Sequence, residues 1–430
     1  MNQKENDYAT APVPMSERKG FWQTAAVWIG WCISLSAFLT GGTIAQGCTL
    51  WEGLAAVLAG NLLLAVIGIF CGIIGFKTGL TTYTAYRMIF GMKGNVIVSV
   101  VMGINLMSFI GVLLDSFANT LHGLMPFIPV PAAIVVFSGC IFISSFNGFK
   151  GLSLISMVAA PTLWILLALC LVMTMTKNGG VPTLLAWEPT EKIPFITAMG
   201  AAVATWIGGA AKTADLTRYS KKVSHVIGGS LMGYILGSGL FEGVAVICAI
   251  GAGSGNIVTV MASMGLLIPA SVVLGLALWT TTDNNIYSSA LAFSDASEIV
   301  GVKIPRKVWV IVCVLMAMGV SLMGLSNNFK NFLSFFGSIS GPLAGIMISH
   351  FFVLHLGKKE YFIPDNFGAA GFIAWIASFI ISQASSTAIP TVTAIILGFI
   401  IYTICGFAFD KIWGGKSSGK MFVIGEISED

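Results

Sequence analysis

The sequence predicts an all-α, polytopic membrane protein with twelve transmembrane helices, and three observations carry that prediction. The 430 residues are 56% hydrophobic and only 9% charged, against roughly one-quarter charged in a soluble domain. Apolar stretches of about 20 residues, enough at 1.5 Å per residue to cross about 30 Å of hydrocarbon, recur along the whole chain. The basic residues fall between those stretches in a one-sided alternation.

Residues 1–20 are polar and contain proline, without the basic start and short apolar core of a signal peptide. They read as a cytoplasmic N-terminal segment, followed by a first span, 22–46, that stays as an anchor. Spans two to five are expected at 52–76, 94–120, 130–147 and 153–176. The sixth is 194–214 and the seventh 227–251. The eighth, 263–291, is unusual in holding Thr280, Thr281, Thr282, Asp283, Asn284 and Asn285 in a row. Spans at 308–326, 331–355, 368–385 and 388–409 complete the set. Residues 411–430 read as a short, mobile cytoplasmic tail, which leaves one membrane domain, 21–410.

Basic residues in short loops are retained on the cytoplasmic side. With the N-terminus inside, 18 of the 22 Lys and Arg lie in inner segments. Lys177, Lys192 and Lys330 lie in outer loops, and Lys212 lies within a span. Both termini are therefore expected in the cytoplasm of a multi-pass cell-membrane protein. The net charge of +4 follows from this distribution and implies no nucleic-acid partner. The expected partners are the bilayer and a small molecule, bound by a monomer. The eight cysteines form no CxxC or Cys/His cluster, so neither a zinc site nor a disulfide framework is indicated, and they read as small buried hydrophobes.

Spans one and six share an anomaly. Span one carries GWCISLSAFLTGGTIAQG (30–47) and span six carries ATWIGGAAKTAD (204–215). Glycine costs about 1 kcal/mol relative to alanine in a helix, and Ser or Thr hydroxyls offer the backbone other partners. Both spans are expected to be interrupted, and close packing through small residues is the alternative. Interruptions five spans apart are the sign of an inverted-repeat carrier with its substrate at the midplane. The twelve spans then divide as ten plus two, with repeats at about 21–176 and 194–355 and two extra helices at about 368–409.

On a helical wheel Ala277, Thr280 and Thr281 share one face, spaced i, i+3, i+4. Two hydroxyls and a carbonyl facing carbonyls near Gly30 and Ile33 in the first break would suit a hard cation such as sodium. Taken alone, a Thr-Thr pair is a weak sign, because threonine commonly bonds its own i−4 carbonyl. Asp283 is functional by default at membrane depth, unless it lies near the inner end of its span. Asn284 and Asn285 could form two-pronged bonds to an amide edge or bond neighbouring helices.

These residues bring a family into view. The segments GNLLLAVIGIFCGIIGFKTGLTTYTAYRMIFGMKGN (60–95), TGG (40–42), TADLTRYS (213–220), LWTTTDNNIYSSALAFS (278–294) and PVPMSERKG (12–20) resemble the bacterial cytosine permeases of the nucleobase:cation symporter-1 family. The likeness covers most of the chain and thins after about residue 345. It implies a LeuT-like fold of two inverted five-helix repeats plus two helices, with discontinuous helices one and six. It also implies import of a planar nitrogen heterocycle with a cation, commonly sodium. Carried over residue by residue, the sodium site falls on the backbone of Gly30, Ile33 and Ala277 and the hydroxyls of Thr280 and Thr281. The base-stacking aromatics fall on Phe109 and Trp206. No cofactor is implied, and sodium enters as a co-substrate.

The sequence departs from that family at Leu106 and Phe109, where the cytosine permeases usually carry Gln and Trp. An aliphatic Leu106 cannot read a ring edge, so cytosine shares the expectation with purines, hydantoins or allantoin, and a hydroxymethylpyrimidine. Thr205, Gly208 and Gly209 could offer backbone groups, while Asn105, Ser108, Thr282 and Asn284 could restore a polar edge.

Asp115, Lys212 and Glu242 are charges where the family is mostly neutral. A buried lysine must pair or lose its proton, so Lys212 either meets Asp115 or Asp215 as a structural pair, or one of these groups carries a coupling proton. The histidines at 122, 225, 350 and 355 read as loop or span-end residues. An intramembrane hydrolase is disfavoured because Asp283 lacks a GxGD context and no HExxH exists. A channel would need a polar ring or continuous pore. Replacing Lys212 with Met is expected to leave sodium-dependent uptake intact in reconstituted vesicles, and its loss would give the lysine a direct part in coupling.

Overall fold

Helix α1 (Phe21–Cys32) stops inside the first apolar span, and α2 (Leu35–Gly47) restarts bent by 50° from it. Ser34 makes the restart. Its backbone is extended (φ −133°, ψ 155°) and its hydroxyl accepts from the Ala37 N–H at 3.1 Å, an N-cap that satisfies one of the donors a new helix leaves unpaired. A second interruption lies in the other Gly-rich cluster. Helix α9 (Phe195–Ala211) ends at Lys212, whose backbone (φ −109°, ψ 21°) leaves the helical region, and α10 (Ala214–Thr217) is a single turn.

The computed structural model describes residues 7–177, 180–252, 265, 267–324, 329–356, 358, 360–385, 389–413 and 419–423. Between the two interruptions run α3 (Leu50–Thr78), α4 (Thr82–Phe90), α5 (Met92–Leu124), α6 (Val130–Phe146), α7 (Gly148–Lys177) and the short α8 (Gly180–Leu185). Gly79 closes α3 in the left-handed region at φ +69°, a conformation glycine adopts without a Cβ penalty. Beyond α10, helix α11 (Val223–Leu231) passes through a π-helical stretch, Met232–Gly239, into α12 (Leu240–Ala252). The polar run lies in α13 (Leu267–Ile299). It is followed by α14 (Arg306–Ser321), α15 (Phe329–Ser349), α16 (Ala369–Ala384) and α17 (Pro390–Trp413).

Among the described residues, six helices are individually long and apolar enough to cross a membrane, and the bent α1–α2 pair makes a seventh. The helices Val130–Phe146, Phe195–Ala211 and Ala369–Ala384 are apolar but shorter. Large side chains such as Leu58, Ile143, Ile165, Ile380 and Ile404 point outward, as lipid-facing residues do. Inside, α13 lies along α5, α3 along α9, α2 along α12 and α15 along α17. The α2–α12 approach depends on Gly41, where a Cβ would stand 2.3 Å from the Glu242 carbonyl oxygen.

Two expectations need correction. The fold is not wholly helical, because β1 (Glu360–Pro364) pairs antiparallel with β2 (Gly419–Val423), Glu360 opposite Val423. The tail is therefore not simply mobile over 419–423, although 414–418 and 424–430 lie outside the described residues. EYFIP and GKMFV are rich in aromatic and branched residues that favour strands.

The bundle end that carries α4 and α10 is held by buried charge. Asp295 of α13 accepts from Arg87 Nε at 2.8 Å, Asn95 Nδ2 at 2.7 Å, Ser99 Oγ at 3.0 Å and Thr84 Oγ1 at 3.2 Å. The N-terminal segment lies across the same end. Arg218 donates to the carbonyls of Tyr8 at 2.7 Å and Asp7 at 2.9 Å, and Arg18 donates to the carbonyl of Phe76 at 2.8 Å. Burial pushes the Arg18 guanidinium down to about 10, which leaves it charged at neutral pH. Removing one partner of a buried pair strands the other charge at a cost of about 3–5 kcal/mol. Asp295→Ala is accordingly expected to lower the unfolding temperature of the detergent-solubilised protein clearly, whereas a surface control such as Glu188→Ala, whose pair with Lys192 is exposed, leaves it near wild type.

Candidate functional site

Where α1 ends, its last carbonyls lose their helical donors. The Ile33 carbonyl meets both hydroxyls of the threonine pair, with Thr280 Oγ1 and Thr281 Oγ1 each at 3.3 Å. Thr280 also bonds the carbonyls of Leu276 at 3.0 Å and Ala277 at 3.4 Å within its own helix. The structure thus gathers Ile33, Ala277, Thr280 and Thr281 about one point, all of them buried. Gly30 lies one turn back along α1, where a Cβ would stand 2.6 Å from Cβ of Ser156 on α7. The set is built of hard, uncharged oxygens, the donors that a monovalent alkali cation takes by the same logic as other hard cations.

The expected aromatics lie beside this point in a different arrangement. Among the ring contacts of the described residues, Phe109 is not paired with Trp206. It stacks on Phe336 of α15, with centroids 4.7 Å apart and 29° between planes. Phe336 in turn presses against Gly208, where a Cβ would meet its ring at 2.5 Å. Trp206 packs edge-on to Trp31 at 5.6 Å and packs over Gly209, and its buried indole N–H has no partner. One turn before Phe109, Asn105 donates to Ser340 of α15 at 3.1 Å, so one α5 face and one α15 face meet. Leu106 is fully buried in the core. Thr205 shares a hydrogen bond of 2.7 Å with Thr40 of α2.

Thr282 and Asn284 make bonds within α13 itself. Thr282 donates to the Leu278 carbonyl at 2.6 Å and Asn284 to the Thr280 carbonyl at 2.8 Å, which engages one donor of each with its own helix. Asp283 does not reach the water at the span's end. It is 1% exposed, takes one bond of 3.2 Å from Asn284, and keeps Oδ2 without a partner.

Lys212 has neither expected carboxylate as its ion pair. Its ammonium donates to Asn285 Oδ1 and stands 4.9 Å above the Trp31 ring, a cation–π contact worth about 2 kcal/mol when desolvated. Asp215 instead accepts from the Thr82 N–H at 2.8 Å and Ser288 Oγ at 2.9 Å, and Asp115 accepts from Asn119 at 2.7 Å. Glu242, fully buried, accepts from Asn61 Nδ2 at 2.7 Å. Sequence reasoning did not single out Trp31, Phe336, Ser340 or Asn61. Only Trp31, beside the first Gly/Ser cluster, had a local signal.

Apolar helices in a bundle, with two interrupted and a polar helix facing the first break, define a membrane transporter rather than an enzyme. The chain belongs to the family of permeases for cytosine/purines, uracil, thiamine and allantoin, whose model matches residues 12–363. It is 29% identical over 376 residues to the cytosine permease of Escherichia coli (strain K12), covering 87% of each chain. It is 23% identical to the hydantoin permease of Microbacterium maritypicum, covering 92% of this chain and 87% of that one. Among solved structures, it shares its fold with Mhp1, a nucleobase-cation-symport-1 family transporter, in a closed conformation with bromovinylhydantoin bound. The TM-score is 0.80 at 19% identity, with 94% and 96% of the chains covered. A sodium-coupled sialic acid symporter in an outward-open state matches with a TM-score of 0.72 at 13% identity over 94% and 92%. The fold is thus the LeuT-like one.

The Lys212–Asn285 contact makes an asymmetric prediction. Asn285→Leu strands a buried ammonium, at about 3–5 kcal/mol, whereas Lys212→Met strands only an amide oxygen, at about 1–3 kcal/mol. The double variant is expected to recover much of the loss, and additive losses in thermal unfolding of the three variants would show that the contact is not coupled.

Proposed function

We propose that the protein is a secondary active symporter that imports cytosine or a closely related planar nucleobase together with sodium by alternating access. The observation that carries the reading is the meeting of Thr280 and Thr281 with the Ile33 carbonyl at the break between α1 and α2, each at 3.3 Å. In the proposed arrangement twelve spans form two inverted five-helix repeats, about 21–176 and 194–355, plus two further helices. The protein acts as a monomer with both termini in the cytoplasm.

Sodium entering the threonine site would take over the hydroxyl and carbonyl oxygens that now bond one another. This joins α13 to the end of α1 and fixes the angle at which α2 leaves. A heterocycle would stack on Phe109 and Trp206, a contact worth about 1–3 kcal/mol per base in other settings. Phe336 occupies the face of Phe109 that such a ring needs, so its rotation accompanies substrate entry. The buried Asn105–Ser340 pair and the indole N–H of Trp206 are polar groups beside the stack that can read a ring edge.

A second reading keeps the mechanism and changes the substrate to a hydantoin or another N-heterocycle, with sodium or a proton as co-ion. It is favoured by Leu106, whose apolar side chain leaves a polar ring edge unread. Sites that bind polar edges reject analogues that leave them unpaired, so competition separates the two readings.

Proteoliposomes under an inward sodium gradient are expected to accumulate labelled cytosine saturably, with unlabelled hydantoin competing more weakly than unlabelled cytosine. Thr281→Ala removes one hard ligand to the cation, and hydrogen bonds or ligands to charged groups are worth about 1.5–3 kcal/mol. The sodium concentration for half-maximal uptake should therefore rise by roughly tenfold or more. Cytosine uptake indifferent to sodium in both proteins would overturn the sodium reading.

A further inference from the structure

Glu242 has no role in the sodium and substrate sites, yet it is fully buried among polar groups from four helices. Oε2 accepts from Asn61 Nδ2 of α3 at 2.7 Å, and Oε1 lies 3.4 Å from Ser238 Oγ in the π-helical stretch. The Thr205 hydroxyl of α9 lies close to this carboxyl, and it is bonded to Thr40 of α2 at 2.7 Å. The Asn61 amide that faces the carboxyl leaves its own Oδ1 buried and without a partner. The π-helical stretch Met232–Gly239 ends three residues before Glu242, and π turns inside helices mark functional sites disproportionately.

Among the described residues no Lys, Arg or His lies within ion-pair distance of Glu242. The titratable groups on the elements packed around it are Cys32 of α1, Glu52, Cys71 and Lys77 of α3, Lys150, Cys170 and Lys177 of α7, and Tyr234 and Cys248 on its own strand of helix, with Lys77 exposed in the last turn of α3. The thiols and the phenol are uncharged at neutral pH. Glu52 is bound to Thr49 at the far end of α3, and the helix α2 contributes no titratable group. The ammonium of Lys212 is engaged by Asn285 and Trp31.

An unpaired carboxylate at such depth carries a heavy desolvation penalty, whereas a carboxylic acid does not. The shell accommodates both forms without moving heavy atoms. Hydroxyls donate or accept by rotation, so Ser238 and Thr205 can donate to a carboxylate or receive the proton of an acid. When Thr205 accepts, its own proton turns to Thr40 or to the Ala201 carbonyl at 3.0 Å. The state of Glu242 is thereby felt on α2, beyond the first break, and one residue before Trp206.

We propose that Glu242 is a second coupling site, which binds one proton on one side of the membrane and releases it on the other as α2 and α9 move with the substrate. The proton adds to a carboxylate oxygen and leaves from it, so no other bond and no electron is exchanged. The proposal rests on the reading of the chain as a cation-coupled carrier.

Its test uses the full-length protein in proteoliposomes with equal sodium on both sides and labelled cytosine as probe. An inward proton gradient is expected to raise wild-type accumulation several-fold. Glu242→Gln, which mimics the protonated side chain, should lose that stimulation while still exchanging labelled for unlabelled cytosine. Wild type without stimulation, or Glu242→Gln with the full stimulation, overturns the proposal. Should Glu242→Gln not assemble, Glu242→Asp decides: a shifted pH midpoint of stimulation supports the site and an unmoved midpoint overturns it. Absence of cytosine exchange by wild type would count against the substrate reading alone. The proton site is then read on the purified protein by infrared spectroscopy. A carboxylic-acid band that titrates with pH in wild type and is missing in Glu242→Gln supports it, and identical spectra overturn it.

Discussion

A carbonyl left without its helical donor inside a membrane must find another partner, since each unsatisfied backbone group there costs several kcal/mol. Ile33 is in that position because its own extended backbone ends one helix while Ser34 caps the next. The hydroxyls of Thr280 and Thr281 answer it from α13. Much of the arrangement follows from this meeting. It sets α13 against the end of α1, fixes the 50° bend into α2, and places the small residues of the break where another helix can approach. A cation would compete for the same oxygens, so the contact that satisfies the break is also one that an ion can replace.

The same rule of satisfaction orders the buried charges. Asp295 collects four donors and behaves as a structural anchor at the α4 end of the bundle. Lys212 is held by an amide and an indole face, neither of which neutralises it. Glu242 is held by an amide and hydroxyls, groups that tolerate either of its forms. Among the described residues, only Asp295 of these three buried charges has an ionic partner, Arg87 at 2.8 Å.

The apolar stretches were legible because length and hydropathy are local properties, and every one of them coincides with helix in the described residues. The interruptions were legible from Gly, Ser and Thr crowded within two spans. The threonine pair could be placed on one face by counting residues, and its partner Ile33 followed from the family resemblance as well as from the wheel. What escaped was long-range pairing. Nothing local says that Phe336 covers Phe109 across 227 residues, that Asn285 and not a carboxylate meets Lys212, or that residues 360–364 pair with 419–423. The nine residues of α4 escaped for a different reason. They are too short and too mixed in polarity to read as a span, and their burial depends on the charge network around Asp295 and Arg87.

The central claim is that the Ile33–Thr280–Thr281 cluster binds the ion that orders the substrate site. Equilibrium binding of labelled cytosine to the purified protein, titrated in sodium and then in choline at equal ionic strength, tests it most directly. The account predicts that sodium tightens cytosine binding and that cytosine tightens sodium binding by the same factor, as linkage requires. Equal affinity in the two salts would contradict it.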